Sequence, residues 1–255
     1  MDPGRFSHWR CAELQFLLVT IELLLVPGLL CDHRLWVGQA PSLADAACVR
    51  VPDLTTYVSI VEMADSILGT APARFALAGF SMGGCVALEI ISRAPQRVQR
   101  LALLSTNAAG VLPSVRRHYE ESIASIEAGE LDNYLADAFP RYVAPVRASD
   151  RALWESFSAM ATSLGAVVAV RQMRALLDYS AFRGCLQDIA CPTMLICGDA
   201  DHRTPVAIHQ EMSRQIFGSQ LRVIEGSGHF TPLERPTAVT DALRQWLQMS
   251  PAPPP

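Results

Sequence analysis

Six short apolar runs, each cut off by a small or turn-forming residue, constrain this chain more than any other feature. They cover residues 21–26 before Pro27-Gly28, 47–51 before Pro52-Asp53, 74–78 before Gly79, 98–104 before Ser105, 193–197 before Gly198 and 221–224 before Glu225-Gly226. A strand with one wet face alternates apolar and polar residues. These runs are largely continuous instead, as strands buried on both faces of a parallel sheet must be. Residues 56–68, 83–94, 205–217 and 237–248 lie between them and repeat their apolar positions at the helical period. Alternation of the two predicts an α/β fold built on a doubly wound, mostly parallel sheet.

The middle third breaks that rhythm. Helical patterns over 116–128, 131–139, 153–164 and 167–177 stand where a single crossover helix would suffice. Four helices between two strands of one sheet predict an inserted all-helical lid over 113–182. The core is then expected in two parts, 19–112 and 183–249, with a mobile extension over 1–18 and a disordered Pro-rich tail over 250–255. Tyr119, Tyr134, Trp154, Met160 and Met173 of the lid are candidates to face a substrate, or simply to pack lid on core. None of its arginines (Arg116, Arg117, Arg141, Arg147, Arg151, Arg171, Arg174) stands out from a solvated helix face.

Composition closes off several functions. With 255 residues, half of them apolar and 18% charged, the chain has the makings of one sizeable core and not of a disordered segment. Lys+Arg number 21 against 25 Asp+Glu, with no basic cluster, which argues against a nucleic-acid partner. Seven cysteines at irregular spacing, without a C-x-x-C pair, suit neither a disulfide framework nor a zinc site. No metal and no cofactor are expected, and the thiols point to a reducing compartment. Arg5 and Arg10 ahead of an apolar stretch resemble a signal sequence, but Glu22 interrupts that stretch and no small-x-small cleavage site follows. The expectation is a cytoplasmic protein, monomer or homodimer, without a membrane partner.

The chemistry begins at Gly79-Phe80-Ser81-Met82-Gly83-Gly84, where a buried run ends and a helical pattern begins. Such a tight strand-to-helix turn strains the serine backbone and exposes its hydroxyl. It needs Gly79 and Gly83 because side chains there would collide across the turn. A serine nucleophile needs a base, and the base needs an orienting carboxylate. His229 follows the last run and so lies on the sheet edge that carries Ser81. His202 is its rival, while His8, His33, His118 and His209 fall in the extension, a loop, the lid and a helix. For the acid, the loop after 193–197 offers both Asp199 and Asp201; the end of the preceding run, Ser105-Thr106-Asn107, offers none.

Together these stretches resemble the α/β-hydrolase fold over residues 21–248, through Gly79-x-Ser81-x-Gly83-Gly84, Gly198-x-x-Asp201-x-x-x-Pro205 and Gly228-His229…Glu234-x-Pro236. The resemblance implies a triad of Ser81, Asp201 and His229, and it selects Asp201 over Asp199 because the family's acid stands four residues before that proline. It also implies an oxyanion hole from the amides of Met82 and Leu29. Here Pro27 occupies the place of the histidine in the family's usual His-Gly motif. Leu29 keeps its N–H, but the support that histidine would lend the loop is gone. Glu234-Arg235-Pro236 is read as shaping the turn into the last helix.

A serine, unlike an aspartate, suits acyl transfer, so the resemblance implies hydrolysis of a small carboxylic ester or lactone through an acyl-enzyme. Two alternatives stand beside it: C–C bond hydrolysis of a diketone-type substrate, and a hydrolase-like protein that binds a ligand without turning it over. Phe80 and Cys85 beside the serine speak against the first.

Overall fold

The computed structural model describes residues 6–8, 21–111, 113–179, 182 and 185–250. Among these residues seven strands form one sheet: β1 (Phe6–His8), β2 (Ile21–Val26), β3 (Ala47–Pro52), β4 (Phe75–Phe80), β5 (Val98–Leu104), β6 (Thr193–Gly198) and β7 (Gln220–Ile224). Their spatial order is β1-β3-β2-β4-β5-β6-β7, and every pairing is parallel except β1 against β3. The expected fold class is thus found. All residues of β4 and of β6 are buried, which is why their runs carry no alternation. Strand β7 closes one edge and is mostly solvent-facing.

Nine helices accompany the described strands: α1 (Gln39–Ser42), α2 (Ile60–Thr70), α3 (Met82–Arg93), α4 (Pro113–Glu127), α5 (Leu131–Tyr142), α6 (Arg151–Asp178), α7 (Val206–Gln215), α8 (Thr231–Glu234) and α9 (Pro236–Leu247). Helix α3 packs on β2, β4 and β5, and α9 packs on β5, β6 and β7. The largest fully buried side chains, Trp36 and Trp246, lie in the hydrophobic core.

Three details depart from the sequence expectations. Helix α2 starts at Ile60, not at residue 56. Ser59 is extended (φ −145°, ψ 157°) and its hydroxyl accepts the Glu62 amide at 3.1 Å, while Glu62 accepts the Val58 amide at 3.0 Å. These two side-chain bonds, one at the cap and one just before it, fix the first turn. Residues 6–8, assigned to a mobile extension, form β1 against β3; three residues are too few to show a period. The rest of 1–18, and the tail beyond Ser250, lie outside the described residues. Finally, the last two helices of the insertion are continuous as α6, broken at Gly165 (φ 82°, ψ 173°). Helix α6 is long and apolar enough by composition to cross a membrane. At Gly165 it divides into rods of 151–164 and 166–178, each short of the roughly 20 residues a span requires.

Sheet order places the site. Strand β3 lies to one side of β2 and β4 to the other, so the order in which the chain adds strands reverses between β2 and β4, although the two run parallel. The loops leaving their carboxyl ends diverge there and open a crevice. Those loops begin with Pro27-Gly28 and with Ser81.

Candidate active site

At the end of β4 the backbone turns sharply into α3. Ser81 sits at φ 51°, ψ −114°, outside the regions a side chain prefers. Its amide bonds to the Leu104 carbonyl of β5 at 2.9 Å, and its carbonyl accepts the amides of Gly84 and Cys85 and the Thr106 hydroxyl. A Cβ at Gly79 would stand 2.2 Å from the Gly83 oxygen, and one at Gly83 would stand 2.3 Å from the Val26 oxygen. Only glycine permits this approach of helix to strand. Although Ser81 occupies the capping position of α3, its hydroxyl makes no cap bond.

That hydroxyl lies 3.0 Å from Nε2 of His229, and Nδ1 of His229 lies 2.9 Å from Oδ2 of Asp201. A carboxylate can only accept, so Nδ1 carries the proton and the bare Nε2 accepts from Ser81. Asp201 is buried, and burial alone would raise its carboxyl. The His229 imidazole, the Thr204 amide and the Thr204 hydroxyl outweigh that and hold it well below the usual carboxylate range. Its Oδ1 accepts the Arg203 and Thr204 amides at 2.8 and 2.9 Å, and its Oδ2 accepts the Thr204 hydroxyl at 2.7 Å. Asp199, the other carboxylate in the loop, turns away and accepts the Ser227 amide at 3.1 Å. His202 is exposed on the cavity rim.

The imidazole is held in place. Rings of Phe80 and Tyr142 lie 5.3 and 5.6 Å from it, and its backbone amide donates to the Tyr142 carbonyl at 2.6 Å. Glu234, buried beneath the same loop, accepts the Gly228 and Ala144 amides at 3.0 and 2.8 Å. Burial raises its carboxyl and those amides oppose the rise. Beyond the turn into the last helix read for it from the sequence, the Glu234 carboxylate clips the histidine loop to the segment after α5.

The amides of Leu29 and Met82 donate to no protein acceptor among the described residues. Leu29 shares a small cavity with Ser81, and Met82 lines a larger one of about 200 Å³ with Ser81 and His229. Support for the Leu29 loop comes from a residue that sequence reasoning missed. The Leu30 amide (φ 53°) donates to Oε1 of Gln172 on α6 at 2.8 Å, both residues buried. The signal was available, since Gln172 is a lone polar residue on an otherwise apolar helix face. A second missed residue is His209, fully buried in α7. Burial lowers its imidazole to about 4, so it stays neutral, with Nε2 accepting the Thr106 amide at 3.3 Å. Thr106 in turn holds the Ser81 carbonyl at 2.8 Å. Cys85 lines the larger cavity, but burial pushes its thiol up to about 11, so it presents no thiolate.

Among the aromatic and sulfur residues of the insertion, Tyr119 and Tyr134 line the small cavity beside Ser81. Trp154 packs against Phe139 and Phe157, and Met160 and Met173 are buried in the core. Among the described residues no cluster of three potential metal ligands occurs.

Residues 23–242 match the model of the alpha/beta hydrolase family. Among curated proteins, the chain is 26% identical over 241 residues to a pimeloyl-[acyl-carrier protein] methyl ester esterase of Aromatoleum aromaticum, covering 84% of this chain and 93% of that protein. It is 25% identical to the protein of the same name from Pectobacterium carotovorum, with 89% and 94% covered. Among solved structures, a thermophilic esterase from Thermogutta terrifontis, with malate bound, superposes with a TM-score of 0.81 at 25% identity, covering 97% of this chain and 95% of that one. An enol-lactonase from Burkholderia xenovorans reaches 0.82 at 20% identity, over 96% and 95%.

Proposed function

This chain belongs to the alpha/beta hydrolase family, and we propose that it hydrolyses a small carboxylic ester, open-chain or lactone, through an acyl-enzyme on Ser81. In this reading Ser81 Oγ attacks the carbonyl carbon while His229 Nε2 takes its proton, and Asp201 holds the imidazole and balances its charge. The tetrahedral oxyanion is held by the free amides of Leu29 and Met82. The departing alkoxide takes the proton back from His229, and a water activated by the same imidazole then releases the acid. The inserted helices α4–α6 act as a lid, supplying Val115, Tyr119 and Leu176 to the cavity wall.

One observation carries the reading. A strained serine leaves its helix uncapped and instead meets an imidazole at 3.0 Å, which is itself seated on a buried carboxylate at 2.9 Å. Curated relatives at about a quarter identity are named as ester hydrolases, which agrees with this chemistry. Turnover of p-nitrophenyl butyrate by wild type and by Ser81→Ala tests it. The variant should lose about 10⁴-fold or more in kcat while keeping its melting temperature, and a fluorophosphonate should label only the wild type. Retention of a tenth of the rate by Ser81→Ala would refute the serine mechanism.

A further inference from the structure

Arg203 carries a charge that the proposed chemistry does not use. It lies two residues after Asp201, is half-buried, and lines both cavities that reach Ser81. Its Nη2 donates to the Tyr119 hydroxyl at 2.9 Å, and its guanidinium stands over the ring of Tyr142 at 4.9 Å. The Tyr119 phenol is no anion partner, since burial pushes it up to about 12 and it stays neutral. Asp201, close in sequence, spends its carboxylate on His229, Thr204 and backbone amides. Among the described residues no carboxylate pairs with Arg203. By contrast Arg141, Arg151 and Arg174 of the inserted helices are matched with Asp137, Glu155 and Glu127.

Withdrawing a guanidinium from water is costly unless an anion or a full set of acceptors meets it, and its place over the Tyr119 and Tyr142 rings returns only part of that cost. Of its five N–H donors, one is used by Tyr119. Because the Tyr119 oxygen accepts from Arg203, its own hydrogen remains free to donate. Two donors of one fork, beside a neutral phenol, match the geometry of a carboxylate. The missing counter-charge therefore arrives with the ligand.

We propose that Arg203 and Tyr119 form an anion subsite, and that the preferred substrates are small esters carrying a free carboxylate on a short chain, such as half-esters of dicarboxylic acids. This rests on the ester-hydrolase reading above and narrows it to one substrate class. A cavity of about 200 Å³ suits such compact molecules, since drug-sized ligands occupy roughly 300–1,000 Å³.

The test compares kcat/KM for monomethyl adipate and methyl hexanoate by pH-stat, in wild type, Arg203→Met, Arg203→Lys and Ser81→Ala. These esters are alike in length and differ in the terminal charge. Wild type should favour the half-ester. Arg203→Met should lower its kcat/KM about ten- to a hundredfold, the range of one charge-assisted hydrogen bond, and lower methyl hexanoate threefold at most. Arg203→Lys, which keeps the charge but not the fork, should fall between. Equal losses on both esters in Arg203→Met and Arg203→Lys would make Arg203 a packing pillar and overturn the proposal, as would a wild type indifferent to the carboxylate. Methyl hexanoate turnover that vanishes in Ser81→Ala upholds the underlying mechanism whatever Arg203 does. A wild type that cleaves neither ester sinks both readings.

Discussion

Replacing Gln172 with methionine removes one acceptor 142 positions away in sequence from the amide it serves. Methionine is close in volume and flexible, so the perturbation is the loss of the Oε1···H–N bond to Leu30 and little else. The orphaned amide is buried, and an unmet buried donor costs about 1–3 kcal/mol. Part of that is offset, because the Nε2 of Gln172 has no partner among the described residues and its removal relieves a second unmet group. A net cost of about 1–2 kcal/mol corresponds to a melting temperature lower by roughly 2–8 °C for a domain of this size. The catalytic effect is the sharper one. Leu30 follows Leu29 directly, and if its amide swings out to find water the Leu29 amide leaves the place proposed for it at the oxyanion. Complete loss of one such donor costs about 3 kcal/mol, or 10²–10³ in kcat. A partial displacement should therefore lower kcat about ten- to a hundredfold, with KM changed far less because the ground-state ester does not depend on that amide. Steady-state kinetics on p-nitrophenyl butyrate beside a thermal melt separate the two effects. A destabilised variant with kcat within twofold of wild type would show that Gln172 holds the fold and not the oxyanion loop.

Two further predictions rest on single residues. His209 is held neutral with its imidazole lowered by burial to about 4, against ~6.5 in the unfolded chain. Stability should thus be full above about pH 6.5 and fall by about 3 kcal/mol as pH drops from there to about 4, because only the unfolded chain gains a proton in that window. Urea titrations across pH 4–7 should show the decline in wild type and a flatter line in His209→Gln; parallel lines would remove His209 as the cause. Gly83→Ala would set a methyl 2.3 Å from the Val26 oxygen and 2.6 Å from the Pro27 oxygen. It should cost about 1–3 kcal/mol of stability and also depress kcat, since those carbonyls belong to the loop that carries Leu29. An alanine variant with wild-type melting and turnover would contradict the close approach of α3 to β2.

Much of this architecture was legible in the amino-acid string, and the reasons are local. Strands buried on both faces leave an apolar signature, so β2 to β6 were placed within a residue or two. The turn at Ser81 announces itself because a glycine is sterically required on each side of it, Gly79 before and Gly83 after. What escaped reading depends on tertiary contact. The choice of Asp201 over Asp199 needed a resemblance, for both carboxylates sit in one loop and only the fold decides which meets His229. Ser59 and Glu62 spelled a helix start, yet the apolar period ran through it and placed the start four residues early. Gln172, His209 and Arg203 act across distances of a hundred residues or through burial of a charge, and no spacing rule registers either.

The tie between the histidine loop and the insertion has a practical consequence for exchange of parts among relatives. His229 hangs from the Tyr142 carbonyl, and Glu234 grips the Ala144 amide just beyond α5. A graft that swapped α4–α6 wholesale would unseat His229 along with the inserted helices. Any transplant must therefore keep residues 142–144 with the recipient, and the segment free to diverge in shape is narrower than the helical insertion itself.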